Sequence, residues 1–222
     1  MFQAGVHFGY SRSNRHPKMK PFIFTNRNGT EIFDLEKIQK KLSLAKEFLK
    51  ALGKEKKAIL FVGTKKEARE AVEKSAKELN MPYVKERWLG GTLTNFKEIK
   101  NRIDYLNDLL QKRDSGELEK YTKKERLQLA KKIIKLEKYL EGLQQYKNLP
   151  AALIAVDSNY EEVARRETRA MNIPLIAIMN SDCNPEDADY PIPANDSSIT
   201  SVNYLLSELV KAYSEGRIQI NE

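Results

Sequence analysis

The sequence predicts an α/β fold, a parallel sheet flanked by helices, interrupted by an inserted antiparallel coiled-coil hairpin and preceded by a basic arm. Three observations carry this reading. Short apolar runs, Ala58–Val62, Leu153–Val156 and Pro174–Ile178, have the continuous hydrophobicity of parallel strands covered on both faces, and amphipathic helical patterns alternate with them. Between residues 94 and 149 there is no strand-like run. Apolar residues there recur at steps of three and four: Ile99, Ile103, Leu106 and Leu110, then Leu129, Ile133, Leu136, Leu140 and Leu143. Finally, residues 1–30 hold five cations and no acid.

The chain has 222 residues, with 41% hydrophobic and 32% charged, enough for one core plus an appendage. No apolar run approaches the roughly 20 residues of a membrane span. The amino terminus also lacks the features of a secretory or transit segment, so the protein is expected to stay where it is made, in the cytoplasm. One cysteine, Cys183, excludes an internal disulfide, and with His7 and His16 far away in sequence it makes no zinc-like spacing. The net charge of +8 points to a polyanionic partner.

In chain order, the first segment interleaves Arg12, Arg15, Lys18, Lys20 and Arg27 with Phe2, Phe8 and Tyr10. Cations able to hold phosphates beside aromatics able to stack on bases suggest an RNA-binding arm. Its glycines and prolines suggest an irregular path held from outside the chain; the alternative is a solvated terminus. Asn28-Gly29 between Phe22–Thr25 and Thr30–Phe33 signals a small β-hairpin. Asp34 is placed to cap a helix burying Leu35, Ile38, Leu42, Ala45 and Leu49 and ending at Gly53. Thr64 with Glu67, Ser158 with Glu161, and Thr122 with Glu125 have capping-box spacing. A second strand is expected at Tyr83-Val84. Asp114-Ser-Gly116 breaks the hairpin, and a last helix is expected over about 198–213, with Ile199, Val202, Leu205, Leu206 and Leu209 inward. These readings divide the chain into an arm (1–33), a sheet domain (34–93 and 150–215), an inserted hairpin (94–149) and a tail (216–222).

Between Arg87 and Asn95 the chain passes from sheet to hairpin. Trp88 is expected to anchor this root, Gly90 and Gly91 to redirect the backbone, and Thr94, beside Asn95, to cap the outgoing helix. Gly63-Thr-Lys-Lys after a buried strand resembles an anion-binding turn. It lacks the glycine-rich loop of a nucleotide-hydrolysing motif, so Lys65 and Lys66 are expected to face solvent or a phosphate backbone. Asp157 and Asp182 follow neighbouring strands, where parallel sheets keep active sites, yet no nucleophile arrangement accompanies them and turn or cap roles suit them equally. Residues 94–147 hold fourteen cations against nine acids, which suits either phosphate contact or a solvated face.

Several strings together resemble the bacterial type of ribosomal protein S-two: Ala4–Gly9 (AGVHFG), Pro17–Pro21 (PKMKP), Arg27-Asn-Gly29, Phe61–Lys65 (FVGTK), Arg87–Asn95 (RWLGGTLTN), Leu118–Glu125 around Thr-Lys-Lys-Glu, and Asp189–Pro193 (DYPIP). The resemblance covers essentially the whole chain. It implies a flavodoxin-like domain with a protruding hairpin, no enzymatic activity and no cofactor. It also implies binding to small-subunit ribosomal RNA and neighbouring ribosomal proteins, including docking of the messenger-binding protein S-one. On this analogy the basic arm and the hairpin are the main RNA-contacting parts, with the domain surface touching further RNA and neighbouring proteins, and the expected RNA contacts are Arg12, Arg15, His16, Lys18, Lys20, Arg27, Lys65, Lys66, Arg87, Lys97 and Arg102. The sequence departs from the family pattern at Tyr10 (usually His), His16 (usually Asn), Ala151 (usually an acid) and Ser181–Pro185. The chain begins almost at the first motif, so the short helix that usually precedes it is largely absent, which implies a weaker S-one interface. Two other functions compete with this one: a nucleotide-using enzyme around Thr64, Asp157 and Asp182, and a free coiled-coil adaptor.

Overall fold

Apolar runs too short for helices, each followed by a turn and an amphipathic helix, assemble here into five parallel strands. The computed structural model describes residues 1–218. The main sheet comprises β4 (Ile59–Val62), β5 (Tyr83–Val84), β6 (Ala152–Val156), β7 (Leu175–Met179) and β8 (Tyr190–Pro193), in spatial order β5-β4-β6-β7-β8. All four pairings are parallel. Renumbered within the sheet, that order is 2-1-3-4-5, the flavodoxin-like arrangement. β4, β6 and β7 are buried along their whole length, which accounts for their unbroken hydrophobicity. Pro191 and Pro193 sit in edge strand β8, where a missing N–H is tolerated.

The helices are α1 (Leu35–Lys54), α2 (Arg69–Leu79), α3 (Phe96–Asp114), α4 (Lys123–Leu140), α5 (Glu162–Ala170) and α6 (Ile199–Ile218). α6 packs on α1 and α2, and α1 also reaches β8. Chain movement from β4 to β5 runs opposite to that from β6 to β7, so right-handed crossovers put α2 and α5 on opposite faces. α3 and α4 lie beside each other. They bury Ile99, Ile103, Leu106 and Leu109 from one helix and Ile133 and Leu140 from the other, while Leu110, Leu129 and Leu136 are half-buried. Lys132 Nζ donates to Tyr105 Oη across the pair at 2.8 Å.

Two caps form as the spacing predicts. Asp34 accepts from the Glu36 and Lys37 amides, and Thr122 and Glu125 form a reciprocal capping box. The other two boxes do not form. α2 starts only at Arg69 and α5 only at Glu162, because Thr64 and Glu161, each expected to serve its own helix, instead bond each other. Gly53 lies inside α1 rather than ending it. A Cβ there would come within 2.3 Å of the Tyr213 carbonyl oxygen, and one on Gly216 within 2.2 Å of that of Lys50. The two glycines let α1 and α6 cross in backbone contact. α6 also runs beyond the expected end, and its first residue, Ile199, is exposed rather than inward. Of the expected tail, residues 216–218 continue α6 and residues 219–222 lie outside the described residues.

The amino-terminal segment differs most from expectation. It contributes a strand of its own, β1 (Phe8–Ser11), to a three-stranded antiparallel sheet with the hairpin strands β2 (Ile23–Arg27) and β3 (Thr30–Phe33). Val6 and Met19 are fully buried, the His16 amide donates to the Ser181 carbonyl at 2.8 Å, and the Asn195 amide donates to that of Val6 at 2.9 Å. The rest of the chain therefore holds the segment, and no outside partner is needed to order it.

Replacing Gly216 by alanine should force the α1–α6 crossing apart. A loss of about 1–3 kcal/mol is expected from the overpacking, visible in thermal unfolding, whereas Gly29→Ala, where no atom lies within 4 Å of the new Cβ, should cost only the strain of its positive φ.

Candidate nucleic-acid interface

Open parallel sheets bind ligands outside the carboxyl ends of their strands, at the point where strand order reverses, here between β4 and β6. The chain fills that crevice itself. Lys65, just after β4, places Nζ 3.1 Å from Asp157 Oδ2, 3.1 Å from Asp196 Oδ2 and 3.0 Å from Tyr10 Oη. Tyr10 reaches in from β1, its amide donating to Asn180 Oδ1 and Ser181 Oγ beyond the end of β7. Asp157 has a positive φ of 66°, uncommon for a residue with a side chain. Its Oδ1 accepts from the Asn159 and Tyr160 amides, which accounts for the conformation. Asp196 Oδ1 accepts from Asn180 Nδ2 at 2.8 Å.

The electrostatics describe a closed unit. Burial disfavours charge on Lys65, but the neighbouring Asp196 and Asp157 carboxylates and the Tyr10 hydroxyl outweigh it and hold the ammonium well above its usual range. Burial also pushes Asp157 upward; the Tyr160 amide and Lys65 overcome that and depress it. Glu161 is raised because its burial outweighs the two Thr64 hydrogen bonds. The Cys183 thiol, buried and close to Asp157, is pushed up to about 12, which removes it as a nucleophile. Asp157 is thus a structural counter-ion, and Lys65 offers no free charge to a phosphate. Among the described residues no group of three or more His, Cys, Asp or Glu is placed to hold a metal ion.

Around this plug the remaining nominated cations separate into two groups. Arg15 pairs with buried Glu31 at 2.8 Å, Lys18 pairs with Glu186, and Arg102 lies 3.7 Å from Glu98 one turn away. His16 Nδ1 accepts from the Lys18 amide and caps the turn at Pro17–Phe22, a local structural role. Arg12, Lys20, Arg27, Lys66, Arg87 and Lys97 are exposed and have no carboxylate partner among the described residues. Lys66 and Arg87 follow the ends of β4 and β5 at the carboxyl rim of the parallel sheet, and Arg12 stands two residues after Tyr10, which reaches into that rim.

The hairpin root is built on a residue the sequence reading missed. Glu167 of α5 is 7% exposed, and its carboxylate collects the entire turn. Oε1 accepts from Trp88 Nε1 at 3.0 Å and the Gly91 amide at 2.7 Å; Oε2 accepts from the Leu93 amide at 2.9 Å, the Thr94 amide at 3.2 Å and Thr94 Oγ1 at 3.4 Å. Trp88 is buried, as expected of an anchor. Thr94 does not cap α3: the capping position is Asn95, whose side chain makes no capping bond. The carboxylate of another helix takes the orphan amides instead, and its charge suits a helix amino terminus. Gly91 has φ +91°, whereas Gly90 has open space around it and no positive φ, so only Gly91 is required by the turn. A buried Glu following a helix pattern, with five donors 73 to 79 residues earlier, leaves no periodic signal in sequence. Tyr146 closes the root from the segment that follows α4, its ring edge-on to Phe96 at 4.8 Å.

Burial pushes Glu167 up, and the hydrogen bonds from Trp88, Leu93, Gly91 and Thr94 more than reverse this, leaving the carboxyl below its ordinary value. The stabilisation it provides is therefore complete above the ordinary glutamate range and is lost as pH falls through the lowered folded value. Glu167→Gln turns one acceptor oxygen into a donor facing other donors, and should cost about 2–4 kcal/mol at neutral pH. It should also flatten the acid limb of a stability-versus-pH curve. Gly91→Val should destabilise through backbone strain of roughly 1–3 kcal/mol, while Gly90→Ala stays within about 0.5 kcal/mol, both read by chemical denaturation.

Comparison with known proteins agrees with this architecture. Residues 1–216 match the family described as Ribosomal protein S2. The chain is also 42% identical over 217 residues to the small ribosomal subunit protein uS2 of Coprothermobacter proteolyticus, covering 98% of this chain and 81% of that protein. With a parallel sheet in flavodoxin-like order and a ligand crevice closed by its own side chains, the chain belongs to the ribosomal protein S2 family, structural components of the small ribosomal subunit and not enzymes.

Proposed function

We propose that the protein binds small-subunit ribosomal RNA and neighbouring ribosomal proteins in a cytoplasmic ribosome of bacterial type, and that its binding free energy comes mainly from phosphate contacts. Family membership supports the setting. The observation that carries the binding reading is the division of the cations. Arg12, Lys20 and Arg27 on the amino-terminal segment, with Lys66, Arg87 and Lys97 near the strand ends and the root, are exposed and have no carboxylate partner among the described residues, while Arg15 and Lys65 hold the fold through buried carboxylates and Lys18 meets an exposed Glu186. A rigid surface of free guanidinium and ammonium groups binds an RNA backbone without paying to order itself. The helical pair α3–α4, joined to the sheet at Glu167, acts in this reading as a strut whose entry direction matters. Docking of the protein S-one is included on the family resemblance.

The enzyme alternative is disfavoured by the same geometry, since Thr64, Lys65 and Asp157 are satisfied by internal partners where a nucleotide would sit.

The test is co-sedimentation with small ribosomal subunits, combined with the salt dependence of binding to their RNA. Arg12, Lys20 and Arg27 together changed to Gln should lower the slope of log affinity against log salt by about 2–3, at 0.7–0.9 per phosphate contact. Changing Arg15 instead, whose partner Glu31 is buried, should act on stability and leave the slope nearly unchanged. Unaltered assembly and slope in the triple variant would remove the amino-terminal segment from the interface.

A further inference from the structure

We infer that Gly142 and Lys85 are positioning residues: they seat the returning leg of the hairpin on the edge of the sheet and so set the direction in which α3 and α4 leave the body. This rests on the reading of the helical pair as a strut. Glu167 alone does not fix that direction. Its partners all lie in residues 88–94, before α3 begins at Phe96, so it holds one end of one helix. A rigid pair of helices held at a single point still swings about it.

The second point of attachment is on the other leg. α4 ends at Leu140 and continues into a 3-10 turn, Glu141–Leu143. Leu140, Leu143 and Tyr146 are buried, and Tyr146 Oη donates to the Thr92 carbonyl at 3.4 Å, which ties the two legs together. The strand beneath them, β5, lies at the edge of the sheet with β4 as its neighbour. The carbonyls of Pro82 and Val84 accept from the Phe61 and Gly63 amides on the β4 side, at 3.1 and 3.0 Å. The Tyr83 carbonyl between them points the other way, out of the sheet. Gly142 backs against it: a Cβ there would lie 2.3 Å from the Tyr83 oxygen and 2.7 Å from Cδ2 of its ring. Only glycine lets the leg sit so close, and the open edge is covered by it.

A charged bridge completes the seat. Lys85, just past β5, donates to Glu73 Oε2 of α2 at 2.8 Å and stands 3.5 Å from Glu141 Oε2 on the returning leg. The other oxygen of Glu73 accepts from Lys77 Nζ at 2.6 Å and from Tyr83 Oη at 3.3 Å. Hydrogen bonds from Lys77 and Lys85 pull the Glu73 carboxyl down to about 2, so the bridge keeps its charge through neutral and mildly acidic pH. α2 and α5 cover opposite faces of the sheet, and each holds one leg. The Lys85–Glu141 pair is half exposed and weak by itself, so it narrows the swing while the Gly142 contact sets its centre.

The size of the effect follows from leverage. The 19 residues of α3 make a lever about 28 Å long. A methyl group on Gly142 reaches ordinary contact with the Tyr83 oxygen only if the leg moves by about 1 Å. With helix axes about 9 Å apart, that movement tilts the pair by about 6° and carries the tip about 3 Å.

The experiment measures distances in the free, full-length chain by pulsed electron paramagnetic resonance. One spin label sits on Ser115→Cys at the tip and the other on Lys40→Cys of α1 or Arg169→Cys of α5, giving two lines of sight between exposed positions. Cys183 is buried and stays unlabelled. Gly142→Ala is expected to shift at least one mean distance by about 3 Å with a native circular dichroism spectrum, and to lower incorporation into small ribosomal subunits. Lys85→Gln and Glu141→Gln should each broaden the distances without moving their mean, and Lys85→Arg should restore the width. Gly90→Ala, in the root turn where no atom lies within 4 Å of the new Cβ, should match wild type throughout. Wild-type distances and widths in folded Gly142→Ala and Lys85→Gln chains overturn the inference. So do shifted distances with wild-type incorporation, which would leave the aim of the hairpin without a role in assembly. If Gly142→Ala does not fold, the widths of Lys85→Gln and Glu141→Gln decide alone. A wild-type chain that fails to enter subunits would sink the assembly reading instead, and the distances would still decide how the hairpin is mounted.

Discussion

The Glu167 carboxylate is the point on which the two parts of the molecule are joined. It is nearly buried, and a buried carboxylate is costly unless its lone pairs are filled. Five donors from one turn fill them: an indole, three amides and a hydroxyl. The turn cannot move without exposing those donors, and α5 cannot move without abandoning its charge. Because α5 is fixed between β6 and β7, the direction in which α3 leaves the sheet is tied to the sheet itself. Gly91 supplies the positive φ that lets the backbone curl around the carboxylate.

At the other end of the functional surface, the same economy of buried charge decides what the protein does not do. The crevice at the strand-order reversal is available for a ligand in this class of sheet. Here Lys65 balances Asp157 and Asp196, Tyr10 covers them, and Glu161 takes both donors of Thr64. The amino-terminal segment is thereby clamped onto the carboxyl rim, and Arg12, close in sequence to Tyr10, is carried with it. A closed crevice and a rigid rim of free cations are two consequences of one packing arrangement.

Charge sign alone separates these roles poorly. Arg15, Lys18 and Lys65 look in sequence like Arg12, Lys20 and Lys66, but the first three meet Glu31, Glu186 and the two aspartates. The partners lie from 16 to 168 residues away, beyond any local window; Glu31 itself stands one residue past the acid-free stretch. Capping boxes show the same limitation. Thr122 with Glu125 forms one because both residues are exposed and have no competing partner, whereas Thr64 and Glu161 are buried and satisfy each other across the sheet.

The sequence by itself determined the elements whose signals are local and repeated: the buried strands with their unbroken apolar runs, the amphipathic helices, the heptad seams of α3 and α4, the Asn28-Gly29 turn and the Asp34 cap. Its motifs also identified the family, because long ordered strings are specific in a way that composition is not. Tertiary structure alone decided the third strand at Phe8–Ser11, the α1–α6 crossing through Gly53 and Gly216, the filling of the crevice, and which cations remain free. Each of these depends on a partner far along the chain. A buried charge or a close backbone approach is defined by what lies across from it, and that is fixed only once the chain has folded.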